Sequence, residues 1–514
     1  MKLSCVTAAL EPPPPLSADP EIAALAYDSR RVSPGALFFA LRGAVVDGHR
    51  FIGQAITSGA AAVVLEDPAF APAGIPWVVV SDARLALARM ASRYYGDPTA
   101  DVPVVGITGT NGKTTTTYLL EAMLAAAGFP AAILGTISYR FGDFVLPAPH
   151  TTPESADLQQ LLRELVDRGA RGIVMEVSSH ALEQRRVDGC HFDVGVFSNL
   201  TPEHLDYHHD MAAYLASKRR LFSDLLVPDA EKPRRHAVIN CDDPAGAELS
   251  AVAACPVITY GLDRAAAVTA WNPVCSVTGI SGTLVTPAGK ISFRSEMLGR
   301  FNLYNILAAA GAAIALGLPL EAIRTGIERH LKVPGRMERV PNDRGVTLLV
   351  DYAHTGDALE NVLKTVCALD GRRIITVFGC GGDRDRAKRP VMAEVAGRYS
   401  DLTIITSDNP RTEEPATIIT EVRAGILPMM LREYQFDDLV ETSPREEVST
   451  VFAKGFITIE NRRDAIRLAV RLSRPGDIVL LAGKGHEDYQ IIGATKHHFD
   501  DREEAVAAFR GESV

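Results

Sequence analysis

The stretch GITGTNGKTTTT, residues 106–117, decides the fold of the central part of the chain. It follows the apolar run VPVV and precedes the helical sequence YLLEAMLAAAG. A strand, a glycine-rich turn and a helix form the context in which backbone N–H groups at a helix start cradle phosphate oxygens. In such a loop Lys113 neutralises phosphate charge, and Thr114 or Thr115 reaches Mg²⁺. The stretch therefore predicts a nucleotide-binding loop.

The spacing of this loop departs from the GxxxxGK[ST] pattern. Ile107 stands five residues before Gly112, and the nearby glycines are at 106 and 109 instead. Since Gly-Lys-Thr is common by chance, a purely structural turn is the alternative interpretation. The strand–turn–helix context favours nucleotide binding, but it does not tell what is done with the nucleotide.

Strand-length apolar runs alternate with helical stretches on both sides of the loop, a pattern typical of a mainly parallel α/β sheet. The runs are ALFFALRG, AAVVLED, PWVVVSD, VPVVGITGT, GIVMEVSSH, DVGVFSNL, HAVINCDD, VTLLVDYAH, RIITVFGCGGD, DLTIITSDNPR and DIVLLAGKGHE. In the runs after the first three, Gly, Asp, Asn, His or Glu follows the apolar part. Ligands of open α/β sheets bind beyond the carboxyl ends of the strands, so we expect the chemistry there.

A chain of 514 residues is too long for one core, and its length corresponds to about three domains. Proline and glycine punctuate the chain at 96–103 and at 333–345. We therefore predict domains at 1–100, 101–334 and 335–514.

The composition argues against several classes of protein: nucleic-acid-binding, disulfide-rich, zinc-cluster and membrane-spanning. The net charge of −10 argues against a nucleic-acid-binding surface over the whole chain. Seven scattered cysteines without a CxxC pair favour a reducing compartment over a disulfide or zinc framework. The longest apolar stretch, 306–320, is shorter than a bilayer span and ends in Gly-Leu-Pro, so it predicts a buried helix. We expect a cytoplasmic protein without membrane insertion.

Three residues are candidates for a metal site near the loop. Glu176 ends the run GIVMEVSSH, where a carboxylate can hold Mg²⁺ directly or through water. His204 lies in NLTPEHLDYH, and Lys218 follows in KRR. From local pattern alone, Glu176 could also be a helix-start carboxylate and His204 a capping or core histidine. For Lys218 the local pattern favours a solvated helix residue.

Several motifs in order, GTNGKTT, MEVSSHAL, NLTPEHLDYH, FNLYN, PGRMERV, DYAHT and GKGHE, resemble those of the Mur ligases. These are the ATP-dependent amide-forming enzymes of peptidoglycan precursor synthesis. The resemblance covers about residues 27–490. YDSR, HTTPES, GCGGDRDRAKRP and SDNPRTEEP narrow it to the Mur ligases that add meso-diaminopimelate.

The resemblance implies an α/β fold of three domains: an N-terminal uridine-nucleotide-binding domain, a central P-loop-type ATPase domain and a C-terminal Rossmann-like domain that brings the amino acid. It also implies the reaction. The γ-phosphate of ATP passes to the D-Glu γ-carboxylate of UDP-MurNAc-L-Ala-D-Glu, and the amine of diaminopimelate attacks the resulting acyl phosphate. ADP and phosphate leave.

The resemblance also assigns roles to residues. The catalytic group is Lys113, Glu176, His204, Lys218, Arg336 and Asp351. ATP is held by Gly109, Thr110, Asn111, Gly112, Lys113, Thr114, Thr115, Asn305, Arg336 and Asp351. Magnesium is held by Thr114, Thr115, Glu176, His204 and Lys218, the last as a carbamate, a CO₂ adduct that turns a cation into a carboxylate-like ligand.

The acceptor, UDP-MurNAc-dipeptide, is assigned to Ser29, Thr151, Thr152, Ser178, Gln184 and Arg186. The chain departs from the family pattern at Ala44 and Val45, where related enzymes often carry a more polar pair, and at His150 in place of Asn. These departures leave the contacts on the uracil side open.

The choice of amine rests on Arg411. Diaminopimelate is lysine with a second amino-acid head, and a planar bidentate donor such as Arg suits its distal carboxylate. Lysine-adding relatives carry no Arg in this motif. With Arg411, the family's diaminopimelate pocket comprises Arg384, Asp408, Asn409, Pro410, Gly483 and Glu487. On pattern alone, GKGHE is equally a phosphate-binding glycine turn.

Two alternatives remain on sequence grounds. A D-Ala-D-Ala-adding Mur ligase or a folylpolyglutamate synthase would share the ATP motifs, but neither is expected to combine DNPR with YDSR and HTTPES. A nucleotide-dependent switch would need no second α/β domain with its own arginine and glycine-rich sites. We expect a monomer that acts on small molecules.

Overall fold

The structure is a computed structural model that describes residues 1–43, 46–329, 332–369, 371–440 and 453–511. Ala44 and Val45, where the chain departs from the family pattern, lie outside the described residues. The chain forms two compact units. The first comprises Met1–Thr269, Leu284–Ile291 and Asn305–Ile327, and the second comprises Ala270–Thr283, Ser292–Tyr304 and Glu328–Val514.

The first unit begins with a parallel four-stranded sheet in the order β1-β2-β3-β4. Its strands are β1 (Ala24–Ala26), β2 (Ala36–Phe39), β3 (Ala62–Leu65) and β4 (Trp77–Val79). The middle strands β2 and β3 are buried along their whole length. This accounts for their uninterrupted apolar sequence, because a parallel sheet is covered on both faces.

An eight-stranded sheet follows, in the order β12-β11-β10-β5-β9-β6-β7-β8. Its strands are β5 (Val104–Thr108), β6 (Ala131–Leu134), β7 (Ser138–Phe141), β8 (Phe144–Pro147), β9 (Gly172–Glu176), β10 (Val194–Phe197), β11 (His236–Asn240) and β12 (Val257–Tyr260). All neighbours pair in parallel except β6 with β7 and β7 with β8. Strand β5 therefore lies between β9 and β10, with Ile107 opposite both Glu176 and Val196.

The second unit contains a seven-stranded sheet in the order β16-β17-β22-β18-β19-β21-β20, parallel except for β16. Its strands are β16 (Glu338–Val340), β17 (Thr347–Asp351), β18 (Ile374–Phe378), β19 (Leu402–Ile405), β20 (Arg432–Glu433), β21 (Gly455–Thr458) and β22 (Ile478–Ala482). The remaining strands form two small sheets. One has three strands, β13 (Thr269–Ser276), β14 (Gly279–Thr286) and β15 (Gly289–Ser295), and the other has two, β23 (Tyr489–Ile492) and β24 (Thr495–His498).

Helices occupy most of the connections. They are α1 (Leu3–Thr7), α2 (Ile52–Thr57), α3 (Ala83–Tyr94), α4 (Lys113–Ala126), α5 (Ser155–Asp167), α6 (Ser179–Glu183), α7 (Leu205–His208), α8 (Met211–Ser223), α9 (Pro244–Val252), α10 (Arg300–Ala315), α11 (Leu320–Glu328), α12 (Gly356–Cys367), α13 (Lys388–Tyr399), α14 (Pro415–Ile426), α15 (Phe436–Val440), α16 (Arg462–Leu472) and α17 (Asp501–Arg510). Short 3-10 helices lie at Ser29–Arg31, Gly48–Phe51, Pro68–Phe70 and Leu427–Met429.

Each of the apolar runs that we predict to be strands contains one in the structure. The buried helix predicted at 306–320 is α10, which starts earlier, at Arg300, and ends at Ala315. It ends there because Gly317 adopts a left-handed conformation, with φ +75°, and Pro319 follows. Across the described ranges, no helix combines the length and the apolar character that a membrane span requires.

Separate apolar cores cover the faces of the large sheets. In the second unit one core packs on the face that contains Leu349, Phe378 and Leu480, and another packs on the face that contains Val350 and Leu481. Because side chains alternate along a strand, β17 and β22 supply residues to both cores. Packing on both faces therefore fixes the positions of the carboxyl ends of these neighbouring strands relative to one another.

Leu480 tests the role of this core. It lies in the centre of β22 and is 0% exposed. We expect Leu480→Ala to lower the free energy of unfolding of the second unit by about 2–5 kcal/mol, because it removes buried methyl groups and leaves a cavity. Urea unfolding followed by circular dichroism measures the shift. The control is Ile492→Ala at a 51% exposed site, expected to change stability by less than about 0.5 kcal/mol. Equal shifts in both variants would contradict the assignment of the core.

Candidate active site

The predicted phosphate loop connects β5 to α4. Gly109 and Gly112 have φ of +141° and +89°, values that residues with a side chain rarely adopt. A Cβ on Gly109 would collide with Ser198 Oγ, and a Cβ on Gly112 would collide with Asn305 Oδ1. The loop backbone is therefore packed closely against Asn305, a residue that the resemblance assigns to ATP.

Two lysines donate hydrogen bonds to the same loop carbonyl. Lys113 Nζ donates to Gly109 O at 2.9 Å and to Thr110 O at 2.7 Å. Lys218 Nζ, from α8, donates to Gly109 O at 3.0 Å. Lys218 is only 1% exposed, so the interpretation of this residue as part of a solvated helix face is wrong. The pattern of α8 did not reveal this burial.

The environment of Lys218 disfavours its charged form. Burial lowers the pKa of Lys218 well below its ordinary value, and the nearby positive charge of Lys113 lowers it further. Its Nζ also lies 4.3 Å from the centre of the Tyr214 ring. A neutral amine is the nucleophilic form of lysine, which is the form that reacts with CO₂.

Glu176 lies at the end of β9, beside the loop, and is 1% exposed. Its Oε1 accepts hydrogen bonds from Thr114 Oγ1 at 3.0 Å and from Thr136 N at 2.9 Å, while Oε2 accepts one from Thr136 Oγ1 at 3.1 Å. A buried carboxylate beside a threonine hydroxyl is the hard oxygen donor set that Mg²⁺ prefers. The residues present therefore fit a magnesium ion. Thr115, the next residue of α4, is also buried.

His204 lies at the N-cap position of α7 in the left-handed conformation, with φ +57°. Its side chain makes no capping hydrogen bond. Its ring instead packs edge-on against His180, with ring centres 4.8 Å apart. Burial lowers the pKa of His204, and the nearby charge of Lys113 contributes to the same shift. The neutral imidazole that results is the form that binds metals.

The residues assigned to the acceptor form a network that reaches Glu176. Thr152 Oγ1 donates to the backbone carbonyl of Glu176 at 2.9 Å, and Arg186 donates to Thr152 O at 2.9 Å. Arg186 also donates to Gln184 Oε1 at 2.8 Å. Thr151 Oγ1 lies 3.1 Å from the hydroxyl of Thr136, which in turn bonds Glu176.

Two further acceptor residues have structural roles in addition. The Ser178 hydroxyl accepts a hydrogen bond from Ala181 N at 3.2 Å and so caps α6. Ser29 is buried in the 3-10 helix that follows β1 and donates to Gln54 Oε1 at 3.0 Å. His150, where the chain departs from the family pattern, uses its backbone carbonyl to accept a hydrogen bond from the Tyr139 hydroxyl.

In the second unit, Arg336 and Asp351 lie near each other. The guanidinium carbon of Arg336 lies 4.8 Å from the centre of the Tyr352 ring. The Asp351 carboxylate accepts hydrogen bonds from Met337 N at 2.7 Å and from Ala353 N at 2.8 Å. Burial raises the pKa of Asp351, whereas the charge of Arg336 opposes the rise. PGRMERV and DYAHT therefore meet at the carboxyl end of β17.

The residues assigned to diaminopimelate gather at the ends of β18, β19 and β22. Asn409 Nδ2 donates to Glu487 Oε2 at 2.9 Å. Arg411 Nη1 donates to Gly382 O at 2.8 Å and lies 3.5 Å from Asn409 O. These contacts place the Arg411 guanidinium beside the asparagine, and a guanidinium carries five N–H donors.

Other members of this group lie close by. Gly483 N donates to Asp351 O at 3.0 Å, which joins the GKGHE loop to the DYAHT motif. The carbonyl of Pro410 packs closely against Gly382. Arg384 is exposed and donates to Asp383 O at 3.1 Å. The GGDRDR and DNPR loops are thus adjacent.

Several residues that touch the site were missed by sequence reasoning. Thr136 binds Glu176 through both its backbone and its hydroxyl, and Tyr214 packs against Lys218. Asn199 Oδ1 accepts a hydrogen bond from Asn111 N at 2.9 Å. Lys484 Nζ lies 3.4 Å from Asn409 Oδ1 and 3.2 Å from Asp408 Oδ1, two residues assigned to diaminopimelate. Thr136, Asn199 and Lys484 each follow a strand within two residues, which is a signal that the sequence contains.

Three family models match successive segments of the chain. They are described as "Mur ligase family, catalytic domain" (residues 21–95), "Mur ligase middle domain" (residues 107–313) and "Mur ligase, glutamate ligase domain" (residues 335–485). The predicted three-domain α/β architecture is thereby confirmed. The boundaries at 100 and 334 stay predictions.

Curated relatives match over nearly the whole length. A UDP-N-acetylmuramoyl-L-alanyl-D-glutamate–2,6-diaminopimelate ligase of Geobacter metallireducens is 65% identical over 491 residues, which cover 95% of this chain and 94% of the relative. A ligase of the same name from Geobacillus kaustophilus is 45% identical over 492 residues and 96% of each chain.

Solved structures share the fold. One, titled as a ligase of that same name, has a TM-score of 0.68 at 32% identity and covers 95% of both chains. The MurF ligase of Thermotoga maritima, solved in complex with ADP, has a TM-score of 0.58 at 17% identity and covers 95% of this chain and 97% of its own. Because three family models and relatives of up to 65% identity match along the length of this chain, it belongs to the Mur ligase family.

Proposed function

We propose that the chain joins meso-diaminopimelate to the D-Glu γ-carboxylate of UDP-MurNAc-L-Ala-D-Glu, with ATP converted to ADP and phosphate. The observation that carries the choice of amine is the cluster of Arg411, Asn409 and Glu487 at the strand ends of the second unit. It offers a guanidinium for a carboxylate and oxygens for an ammonium. The 65% identity to a 2,6-diaminopimelate ligase supports the same acceptor and amine.

The ATP phosphates bind at the loop 109–115, with Asn305 against it. Lys113 Nζ already lies on the loop carbonyls, so it needs little rearrangement to bind a phosphate oxygen. In this proposal Arg336 and Asp351 complete the ATP site. Two substrates with several negative charges meet during the reaction, and the cations Lys113 and Arg336 offset the resulting repulsion.

Magnesium would be held by Glu176, by Thr114 and Thr115, by His204 and by Lys218 as its carbamate. When bound, the ion neutralises phosphate charge and polarises the phosphoryl oxygens. Formation of the carbamate joins the neutral Lys218 amine to CO₂ and releases one proton. The product carries a negative charge in place of a cation, which supplies a further oxygen ligand.

A free carboxylate is a poor electrophile, so the acceptor carboxylate is first phosphorylated. Thr151, Thr152, Gln184 and Arg186 are connected to Glu176, and in this proposal they orient the acceptor toward the γ-phosphate. Ser29 and Ser178 bind the remainder of the acceptor. The amine of diaminopimelate then attacks the acyl phosphate, the tetrahedral intermediate collapses, and phosphate leaves.

Asp408, Asn409 and Glu487 bind an ammonium of diaminopimelate, and Arg411 binds its distal carboxylate. Arg384, Pro410 and Gly483 form the remaining wall of this pocket. Lysine lacks the distal carboxylate and would leave the Arg411 guanidinium without its ligand. The proposal includes the boundaries 1–100, 101–334 and 335–514, a monomeric state and a cytoplasmic location.

Phosphate release tests the function directly. The purified chain is supplied with ATP, Mg²⁺ and UDP-MurNAc-L-Ala-D-Glu, and the amine is meso-diaminopimelate, L-lysine or D-Ala-D-Ala. We expect release with diaminopimelate only. Release with lysine would keep the ligase but contradict the role of Arg411. Release without any amine or acceptor would favour the nucleotide-dependent switch.

Lys113→Ala removes the cation of the phosphate loop. We expect turnover to fall by at least about 100- to 1,000-fold, because a preorganised donor to the transferring phosphoryl group is lost. Steady-state phosphate release measures the effect. The matched control is Lys290→Ala, at an exposed site on β15, which should keep normal turnover. Near-normal activity of Lys113→Ala would exclude the phosphate-loop assignment.

Lys218→Ala removes the proposed carbamate. We expect an inactive enzyme that partly recovers on addition of a short carboxylate such as acetate, which can occupy the space of the missing side chain. Activity is measured over a series of acetate concentrations, with chloride at the same ionic strength as the control. Full activity without acetate would contradict the role of Lys218.

Arg411→Ala removes the guanidinium fork. We expect the KM for diaminopimelate to rise by about 100-fold, because a bidentate charged contact is lost, while the KM for ATP changes little. Arg411→Lys should recover only part of the loss, since an ammonium does not match the planar carboxylate. Arg398→Ala, at a surface pair with Glu394, is the control. An unchanged KM for diaminopimelate in Arg411→Ala would refute the specificity assignment.

A further inference from the structure

The lysine of the GKGHE motif, Lys484, is buried in the second unit. It follows β22 and its side chain is 0% exposed. Lysine is almost never fully buried unless it is paired, because its ammonium loses hydration. The assigned substrate residues of this motif are its neighbours Gly483 and Glu487, and Lys484 has no role in the reaction described above.

The Lys484 ammonium contacts every polar side chain assigned to the substrate ammonium. Its Nζ lies 3.2 Å from Asp408 Oδ1 and 3.8 Å from Glu487 Oε2. It also lies 3.4 Å from Asn409 Oδ1 and donates to Tyr489 O at 2.5 Å. Since Asn409 in turn donates to Glu487, Lys484, Asn409 and Glu487 form a closed ring of contacts, and Asp408 is joined to it through Lys484.

A second buried cation lies beneath the same loop. Arg462 donates to Ala482 O at 3.1 Å and pairs with Asp501 at 2.6 Å, and both side chains are 0% exposed. The cluster comprises four buried ionisable groups and the half-buried Glu487: Lys484 and Arg462 are positive, and Asp408, Glu487 and Asp501 are negative. Two positive and three negative charges leave a net charge of −1. One substrate ammonium would balance the charge of these five groups; Arg411, assigned to the substrate carboxylate, and Lys388 also face the carboxyls and lie outside this sum.

The two carboxyls nearest Lys484 respond in opposite ways to their surroundings. Burial raises the pKa of Asp408, but the charges of Lys484 and Arg462 outweigh it, and the pKa lies below its usual value. Burial and the nearby Asp408 raise the pKa of Glu487, and Lys484 opposes the rise. Other titratable or charged groups face these two carboxyls from the loops around them: Arg411, Lys388, Tyr352 and Tyr489.

We propose that Lys484 is a positioning residue for the amino-acid substrate. Its ammonium holds Asp408, Asn409 and Glu487 in one arrangement and favours the charged form of both carboxylates, so that together they accept a single ammonium. The inference rests on the proposed function, because it takes diaminopimelate as the ligand of these three residues. Lys484 acts through them and does not touch the substrate itself.

Lys484→Met removes the charge and keeps most of the side-chain volume. We expect the KM for diaminopimelate to rise at least about tenfold, the size expected when a charged hydrogen-bond partner is lost. The KM values for ATP and for the acceptor should stay within about twofold. The matched control is Lys364→Met, a 56% exposed lysine paired with Glu360 on α12, which should change none of these values.

A charge-matched double variant separates electrostatics from packing. Lys484→Met alone changes the net charge of the cluster from −1 to −2, and Glu487→Gln in the same chain restores −1. We therefore expect Lys484→Met to raise the KM for diaminopimelate by no more than about threefold in the Glu487→Gln background. Equal factors in both backgrounds would show that Lys484 acts independently of Glu487 and would overturn the proposal.

The pH profile gives a second readout. The carboxylates must be ionised to bind an ammonium, so kcat/KM for diaminopimelate falls as they are protonated at low pH. Without the Lys484 charge the pKa values of Asp408 and Glu487 rise, and in Lys484→Met the fall should begin at a higher pH than in the unaltered chain. A profile that does not move would count against the proposal.

Folding of each variant is checked by thermal unfolding before kinetics. If Lys484→Met does not fold, Lys484→Gln replaces it, because the glutamine amide keeps hydrogen-bond donors without a charge. A folded, uncharged variant with an unchanged KM for diaminopimelate overturns the inference, as does an equal rise in all three KM values. Absence of diaminopimelate-dependent phosphate release in the unaltered chain would instead overturn the proposed function.

Discussion

The carbonyl oxygen of Gly109 accepts hydrogen bonds from Lys113 and from Lys218, and the geometry of the first site depends on this shared acceptor. Two amines that contact the same oxygen atom repel each other if both are charged, and Lys218 is also buried. The pKa of Lys218 is lowered for these reasons. In the proposed function, this one backbone position holds Lys113 for phosphate and Lys218 for conversion to the carbamate. The left-handed glycines of the loop make this position accessible, because a side chain there would collide with Ser198 or Asn305.

Much of the fold could be predicted because buried parallel strands have an unmistakable sequence. Runs such as VTLLVD and DIVLLA are apolar on both faces, and each contains a strand of the structure. Several of the missed strands lack this signal, whereas β6 and β21 are buried parallel strands of only four residues, too short to stand out in the sequence. Strands β7, β8 and β13 carry alternating or exposed residues, and β13 exposes Trp271 and Val274. An exposed strand is defined by its pairing with neighbours, which local composition does not encode.

Some residues of the candidate site could likewise be predicted from the sequence, and others could not. Residues at strand ends could be predicted to lie near others of the same sheet, Glu176 near the phosphate loop and Asp408 near Glu487, because the parallel strands of one sheet end at a common edge. Lys218 could not, since only the packing of α8 buries it, and local pattern favoured solvent. For Lys218, His204 and Arg411 the family resemblance supplied what spacing alone could not. Lys484 also follows the end of a strand, so its place near the site could have been predicted. A lysine between glycines, as in GKGHE, is however equally typical of an exposed phosphate-binding turn.

Strands β5 and β22 each have a paired neighbour on both sides, and both lead directly into loops that carry the proposed ligand contacts. Amide hydrogens of such central strands exchange with solvent only when a large part of the sheet opens, whereas the loops exchange through small local motions. The amide hydrogens of these strands would therefore exchange very slowly whether or not a ligand is bound. Ligand binding would instead change the exchange rates of the few residues after each strand, at 109–113 and at 483–488. Each sheet thus provides a slowly exchanging internal reference next to the region that responds to ligand.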